Sequence, residues 1–262
     1  MESSRKPAIV LVSGAWCVPE HYEALTRALE VADFAVHVPP KPTCSGARPP
    51  TASYADDVEH IRKVVAALVE AGEDVIMLMH SYGGEVGTDA VRDLTASSRR
   101  AQGLPGGVVH LLYLCAYMLT QGRCVMDVVQ EGGGTEVLAS AVEIADDGAC
   151  MIVDPVAALC HDFEDAAEQR RQGDLLVWFP ASALQGKLAF EAWREVPATY
   201  VRTEEDRCVP PAFQNIILRE VRKTGVKVRE ISFQTSHAVY AIKTREIVEL
   251  VQEIASSEGG TA

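Results

Sequence analysis

The chain has 262 residues, 48% of them hydrophobic, with a formal net charge of -13. That length suits one large α/β domain, or a core domain carrying an inserted cap, with a sizeable buried core. The acidic balance argues against nucleic acid and anionic membrane surfaces as partners. The seven cysteines are scattered, odd in number and without a CxxC pair, which argues against a disulfide framework or a zinc site and fits a reducing compartment. The run Ala8–Val12 is too short for a signal-peptide core or a membrane span, so the expected location is cytoplasmic.

In chain order, Ala8–Val12 reads as a buried strand ending at the loop Ser13-Gly14-Ala15-Trp16. Tyr22, Leu25 and Leu29 recur at helical spacing within Pro19–Glu30. Phe34–Val38 is the next strand, and Pro39–Pro50, rich in Pro, Gly and Ser, is loop. Tyr54–Ala71 places Val58, Ile61, Val65 and Leu68 on one face of a helix ending at Gly72. Val75–Met79 is a buried strand, followed by His80-Ser81-Tyr82-Gly83-Gly84 and a helical pattern from Glu85 to Leu94. Gly103–Gly107 is a turn, and Val108–Cys115 another buried strand. The strand–helix rhythm then breaks from about Ala116 to Val196. This stretch carries Gly132-Gly133-Gly134 as a flexible turn and an acidic, exposed helical segment after Asp154-Pro155. It resumes with strand Ala198–Thr203, helix Pro211–Lys223, strand Val226–Phe233 and helix Thr244–Ile254, leaving Ser256–Ala262 as a tail. Buried strands separated by helices imply a mainly parallel sheet covered on both faces. The expected division is a core of residues 1–115 and 197–262 with a cap insertion at 116–196.

The organising stretch is the strand, tight turn and helix around Ser81, the context of a nucleophile elbow. The usual G-x-S-x-G pattern has lost its first glycine to Met79, so local repacking must accommodate that side chain. An elbow serine needs an acid and then a histidine further along the chain, each at a strand carboxyl end. Thr203-Glu204-Glu205-Asp206-Arg207 follows one strand directly, and Gln234-Thr235-Ser236-His237-Ala238 follows the last. Asp206 could equally be a solvated loop acid and His237 a satisfied core histidine. The order and placement of all three together favour a triad. In that triad His237 takes the serine proton and Asp206 fixes the imidazole tautomer. The N–H groups of Tyr82 and Ala15 are the candidate oxyanion donors, with Gly14 permitting close backbone approach. His80, adjacent to Ser81, is too close in the chain to act as its base and reads as an elbow support.

These residues, namely Ser13-Gly14-Ala15-Trp16, His80-Ser81-Tyr82-Gly83-Gly84, Thr203 to Pro210 with Gln214, and Ser236-His237, resemble the α/β-hydrolase superfamily. The chain is similar in particular to the branch of plant hydroxynitrile lyases, plant methyl-ester esterases and fungal hydrolases. The likeness extends to Asp154-Pro155 in the cap, and Gly-Ala-Trp-x-x-Pro-Glu-His-Tyr is closest to fungal members, some of which belong to secondary-metabolite pathways. The resemblance implies an α/β-hydrolase fold, the triad Ser81, Asp206 and His237, oxyanion donors Ala15 and Tyr82, no cofactor and no metal, and frequently a homodimer. It departs from the pattern at Ser13, where a histidine is common. Gly14 stands where the hydroxynitrile lyases have threonine, and Ala238 where they have lysine, which argues against cyanogenic activity.

The expected activity is hydrolysis of an ester, thioester or lactone of a small, largely apolar molecule. Gly14, Trp16, Tyr82, Met118, Trp178, Phe179 and Val239 are candidates for lining its pocket, although the aromatics could equally be cap core. Two other classes stay open. The Ser–His pair can serve as acid and base without acylation, giving a lyase, retro-aldol or cyclase activity on a polyketide-like metabolite. A non-catalytic binding protein on the same fold is the third.

Overall fold

A computed structural model of the chain describes residues 6–258. The first five residues and the end of the expected tail, 259–262, lie outside the described residues.

The chain opens with β1 (Ala8–Val12), all five residues of which are buried. A single 3₁₀ turn at Pro19–Tyr22 leads into α1 (Glu23–Val31). The second strand, β2, is only Val36–His37, shorter than Phe34–Val38. Phe34 instead closes the end of α1, donating its N–H to Leu29 O at 3.1 Å. α2 (Tyr54–Glu70) begins where the Ser53 hydroxyl accepts from the Asp56 N–H and the Asp56 carboxylate accepts the Ser53 N–H, a reciprocal cap. Its buried residues Tyr54, Asp57, Ile61, Val65 and Val69 fall three or four apart, so one stripe faces the sheet.

Then come β3 (Asp74–His80), α3 (Gly83–Ala90), α4 (Ala96–Ala101) and β4 (Gly107–Leu114). α3 starts two residues before Glu85 and stops short of Leu94. The helix α4 has no apolar periodicity to announce it; its Thr95 cap accepts the Ser98 N–H.

Between β4 and β8 lies a separate layer. It comprises α5 (Val125–Glu131), α6 (Thr135–Ala141), β5 (Val142–Ile144), β6 (Ala149–Ile152), α7 (Pro155–Leu159), α8 (Ala166–Asp174) and β7 (Phe179–Pro180). β5, β6 and β7 form their own small antiparallel sheet. The core resumes with β8 (Ala198–Thr203), α9 (Pro211–Lys223), β9 (Arg229–Phe233), α10 (Val239–Ile242) and α11 (Thr244–Glu258). α11 runs through Ser256, which is helix rather than tail.

The large sheet has six strands in the order β2-β1-β3-β4-β8-β9, every pairing parallel. Continuous Val, Ile and Leu runs suit strands buried on both faces. α1 packs on α11, and α2 on α3. The chain leaves β1 for β2 on one side and returns to β3 on the other. The crevice at the carboxyl ends of β1 and β3 is therefore a topological switch point, where open α/β sheets place their sites. No described helix is long and apolar enough to cross a membrane.

Candidate active site

The crevice is built from four loops at the carboxyl ends of β1, β3, β8 and β9. Ser81 sits between β3 and α3 at φ 55°, a left-handed conformation that L side chains rarely adopt. Its carbonyl accepts N–H bonds from Gly84 and Tyr117, each at 3.0 Å, and its own N–H reaches Leu114 O, so the strain is held from three sides. Gly83 is required by contact: a Cβ there would lie 2.3 Å from Val12 O. The glycine missing at Met79 has a counterpart one helical turn on. A Cβ at Gly87 would stand 2.5 Å from Met79 Sδ, so the bare helix position leaves room for the thioether.

Asp206 and His237 meet across β8 and β9, with His237 Nδ1 2.7 Å from Asp206 Oδ2. Both are almost fully buried. The carboxylate is otherwise saturated. Oδ2 accepts the Thr203 hydroxyl at 2.8 Å, and Oδ1 accepts the N–H groups of Cys208 (2.8 Å) and Val209 (2.7 Å). Gln214 of α9 ties this loop down by donating to Thr203 O and Val209 O and accepting the Thr203 N–H. Asp206 is therefore an anchored acid, whereas its neighbour Glu205 is exposed and bears no such bonds.

The His237 loop is braced by the second layer. Asp162, which the sequence suggests is a solvated helix acid, accepts from Thr235 Oγ1 (2.9 Å) and the Ser236 N–H (2.8 Å). Burial pushes its carboxyl up, but these bonds outweigh it and hold the pKa below the ordinary value. His80 supports the loop from beneath. The Tyr22 hydroxyl accepts the Gly14 N–H at 2.9 Å and lies 2.7 Å from His80 Nδ1, and because the carbonyl of His237 beside Nε2 can only accept, Nδ1 is the nitrogen that takes the hydroxyl proton. Nε2 then carries hydrogen and donates to His237 O at 3.0 Å. Burial, and next the nearby His237, keep the His80 pKa well below the ordinary imidazole value, consistent with this neutral tautomer.

Ser81 Oγ and His237 make no direct hydrogen bond. Gly14 lies directly on the elbow, where a Cβ would be 3.1 Å from Ser81 Cβ. Among the described residues, no acceptor takes the backbone N–H of Ala15 or of Tyr82, although both residues are buried. His80, Cys115 and His237 bring three ligand-type atoms within 4.8 Å. Both His80 nitrogens and His237 Nδ1 are already committed, and burial and then Asp206 push the Cys115 thiol well up, so this donor set does not fit a metal.

Ser81 opens onto a cavity with about 790 Å³ of atom-free space, part of it open to solvent. Ala15, Trp16 and Tyr82 line one side. Val125, Met126, Val129, Leu138, Ala141, Val142 and Ile152, all from the segment between β4 and β8, line the cavity as well, and Arg207 is the one charged residue of the wall among the described residues. Five of the seven expected lining residues are not in this wall, and three of them have clear places elsewhere. Met118 is fully buried in the core. Phe179 backs the wall instead of forming it, with its ring 5.4 Å from Trp16 and 5.3 Å from Tyr82. Trp178 stacks under the Arg48 guanidinium, 4.1 Å from its ring centre. Gly14, Val239, Asp206 and His237 are likewise not among the lining side chains. No periodicity announced this apolar wall, because α5, α6, β5 and β6 are too short to show any.

A six-stranded parallel sheet flanked by helices, with a strained elbow at the end of an inner strand, is the α/β-hydrolase architecture. The chain belongs to the alpha/beta hydrolase family, whose model matches residues 9–247, and it is an enzyme of the hydrolase kind. It is 26% identical over 260 residues to the alpha/beta hydrolase nvfD of Aspergillus novofumigatus, covering 95% of this chain and 97% of that one. Among solved structures it is similar to a pyrethroid hydrolase from Sphingobium faniae JZ-2, with TM-score 0.73, 21% identity, and 95% and 97% of the two chains covered. It is also similar to polyneuridine aldehyde esterase, with TM-score 0.71, 18% identity, and 95% and 99% covered.

Proposed function

We propose that this enzyme hydrolyses an ester, thioester or lactone of a small, largely apolar molecule through an acyl-enzyme on Ser81. The observation that carries the reading is the strained Ser81 in the wall of an apolar cavity, beside an anchored Asp206–His237 pair. His237 Nε2 removes the Ser81 proton as Oγ attacks the substrate carbonyl, and the N–H groups of Ala15 and Tyr82 bind the oxyanion. Asp206 stabilises the imidazolium, which then protonates the leaving alcohol or thiol. Water attacks the acyl-enzyme by the same route, with His237 as base, and releases the acid. The apolar wall binds the hydrocarbon part of the substrate.

The test is intact mass and nitrophenol release with a panel of p-nitrophenyl esters, for the wild type and Ser81→Ala. The expected result is an acyl adduct on the wild type alone, with turnover reduced by roughly 10⁴-fold or more in the variant. Turnover by Ser81→Ala at the wild-type rate would overturn the proposal. A wild type that takes a fluorophosphonate on Ser81 but is acylated by no ester would point instead to acid–base chemistry without acylation.

A further inference from the structure

Behind the two oxyanion donors lies a buried cation that the triad does not touch. Lys41, in the proline-rich loop after β2, is only 2% exposed. Its Nζ donates to Ser13 Oγ at 2.6 Å, to Gly14 O at 2.9 Å and to Cys44 Sγ at 3.3 Å. An ammonium has three N–H donors, and three acceptors surround it. The Ser13 hydroxyl hands its own proton to Cys17 O, so it is free to accept from Lys41. No carboxylate touches Nζ among the described residues. Asp57 feels the Lys41 charge but spends its oxygens on Thr43 and on the Tyr82 hydroxyl. Burying a charge costs stability unless something compensates it, and here the charge is aimed at a backbone carbonyl.

That carbonyl is chemically significant. Gly14 C=O and Ala15 N–H are the two ends of one planar, resonance-linked peptide group. A cation on the oxygen draws electron density from the nitrogen and makes the N–H a stronger donor, and a low-dielectric surrounding enlarges the effect. The same bond, with the Cys17 N–H on the same oxygen at 3.3 Å, holds the peptide plane, and Ala15 lies in the cavity wall beside Ser81. The second donor is braced from the same loop. Asp57 accepts the Tyr82 hydroxyl at 3.2 Å and is itself held by the Thr43 N–H at 2.9 Å, two residues from Lys41.

We propose that Lys41 is a positioning residue of the oxyanion hole: its ammonium orients and polarises the Gly14–Ala15 peptide, so that the Ala15 N–H is a preorganised donor to the developing oxyanion. This rests on the hydrolase reading above. The test compares wild type, Lys41→Met and Lys41→Gln, with Ser81→Ala as the reference for serine-dependent turnover. Where Lys41→Met does not fold, Lys41→Gln, which keeps neutral N–H donors in the same space, carries the test. The readouts are kcat and KM on one p-nitrophenyl ester, and affinity for a trifluoromethyl ketone, captured as an oxyanion on serine, against the matching methyl ketone. Losing a direct oxyanion donor costs about 10²–10³-fold in kcat, so losing the support of one should cost about 10–100-fold, with KM within about threefold. Trifluoromethyl ketone affinity should fall in parallel with kcat while methyl ketone affinity holds. A folded Lys41→Gln with kcat within about twofold of wild type, a change confined to KM, or a joint fall in affinity for both ketones would overturn the proposal. Those results, against turnover that still depends on Ser81, count against Lys41 alone. Turnover that survives Ser81→Ala removes the hydrolase reading itself.

Discussion

Asp206→Asn is the sharpest test of the proposed triad, because the structure dictates which way the new amide must point. Oδ1 accepts two backbone N–H groups, from Cys208 and Val209, at 2.8 and 2.7 Å. An NH₂ group there would set donors against donors, each left unsatisfied in a buried site. The amide nitrogen is therefore driven to the Oδ2 side, where it faces His237 Nδ1 and the Thr203 hydroxyl. It then donates to Nδ1, which fixes the hydrogen of His237 on Nε2. That tautomer offers Ser81 a donor where the reaction needs an acceptor. The analogous substitution in a well-studied serine protease lowers kcat by about 10⁴, equivalent to about 5.4 kcal/mol of barrier, and a loss of that order is expected here. Folding should be nearly unaffected, since the shape is unchanged and the backbone bonds persist. The assay is kcat on an ester turned over by the wild type, with the rate of fluorophosphonate labelling as a second readout. A folded Asp206→Asn that keeps kcat within about tenfold of wild type would show that His237 is not the base held by this carboxylate.

Two further outcomes follow from the buried parts of the site. Glu85 of α3 is fully buried, and neither carboxylate oxygen has a hydrogen-bond partner among the described residues. Burial, reinforced by the charges of Asp89 and Asp127, holds its pKa well above the ordinary value of 4.5, so the folded protein keeps a proton that the unfolded chain releases. Stability from this group is present below that value and lost as pH rises, by about 1.4 kcal/mol per pH unit. Glu85→Gln should remove that slope, so in urea unfolding the variant should gain on the wild type as pH rises above 4.5; parallel curves would refute the assignment. Ala141→Trp, on the cap side of the cavity, should lower kcat/KM for long-chain p-nitrophenyl esters by about tenfold or more and leave acetyl esters within about threefold; an equal loss for both would separate this wall from the acyl chain.

The sheet was readable because its strands are uninterrupted apolar runs bounded by turn residues. β1 and β8 begin and end where the pattern says, and β3 differs only by its polar ends at Asp74 and His80. Edges were less readable: β2 keeps only two residues and β9 starts at Arg229, since apolar flanks such as Phe34, Val226 and Val228 pack without pairing. The elbow, Asp206 and His237 were legible because each follows a strand. The cavity wall was not, because side chains from four short elements converge there and none carries a periodic signature. Trp178 and Phe179 attract attention as aromatics, yet one lies under Arg48 and the other behind Trp16. Lys41 was hidden for another reason. A lysine in a proline-rich loop reads as solvated, and only the folding of that loop against Ser13 and Gly14 takes it out of water.

Trp16 joins the two layers more closely than packing alone would require. Held at φ 61°, it donates its indole N–H to Cys150 O of β6 at 3.0 Å, while its carbonyl accepts the Val177 N–H at 3.0 Å. Both bonds run from the residue next to Ala15 into the cap. A displacement of the second layer at this edge would therefore pull on the peptide proposed to bind the oxyanion.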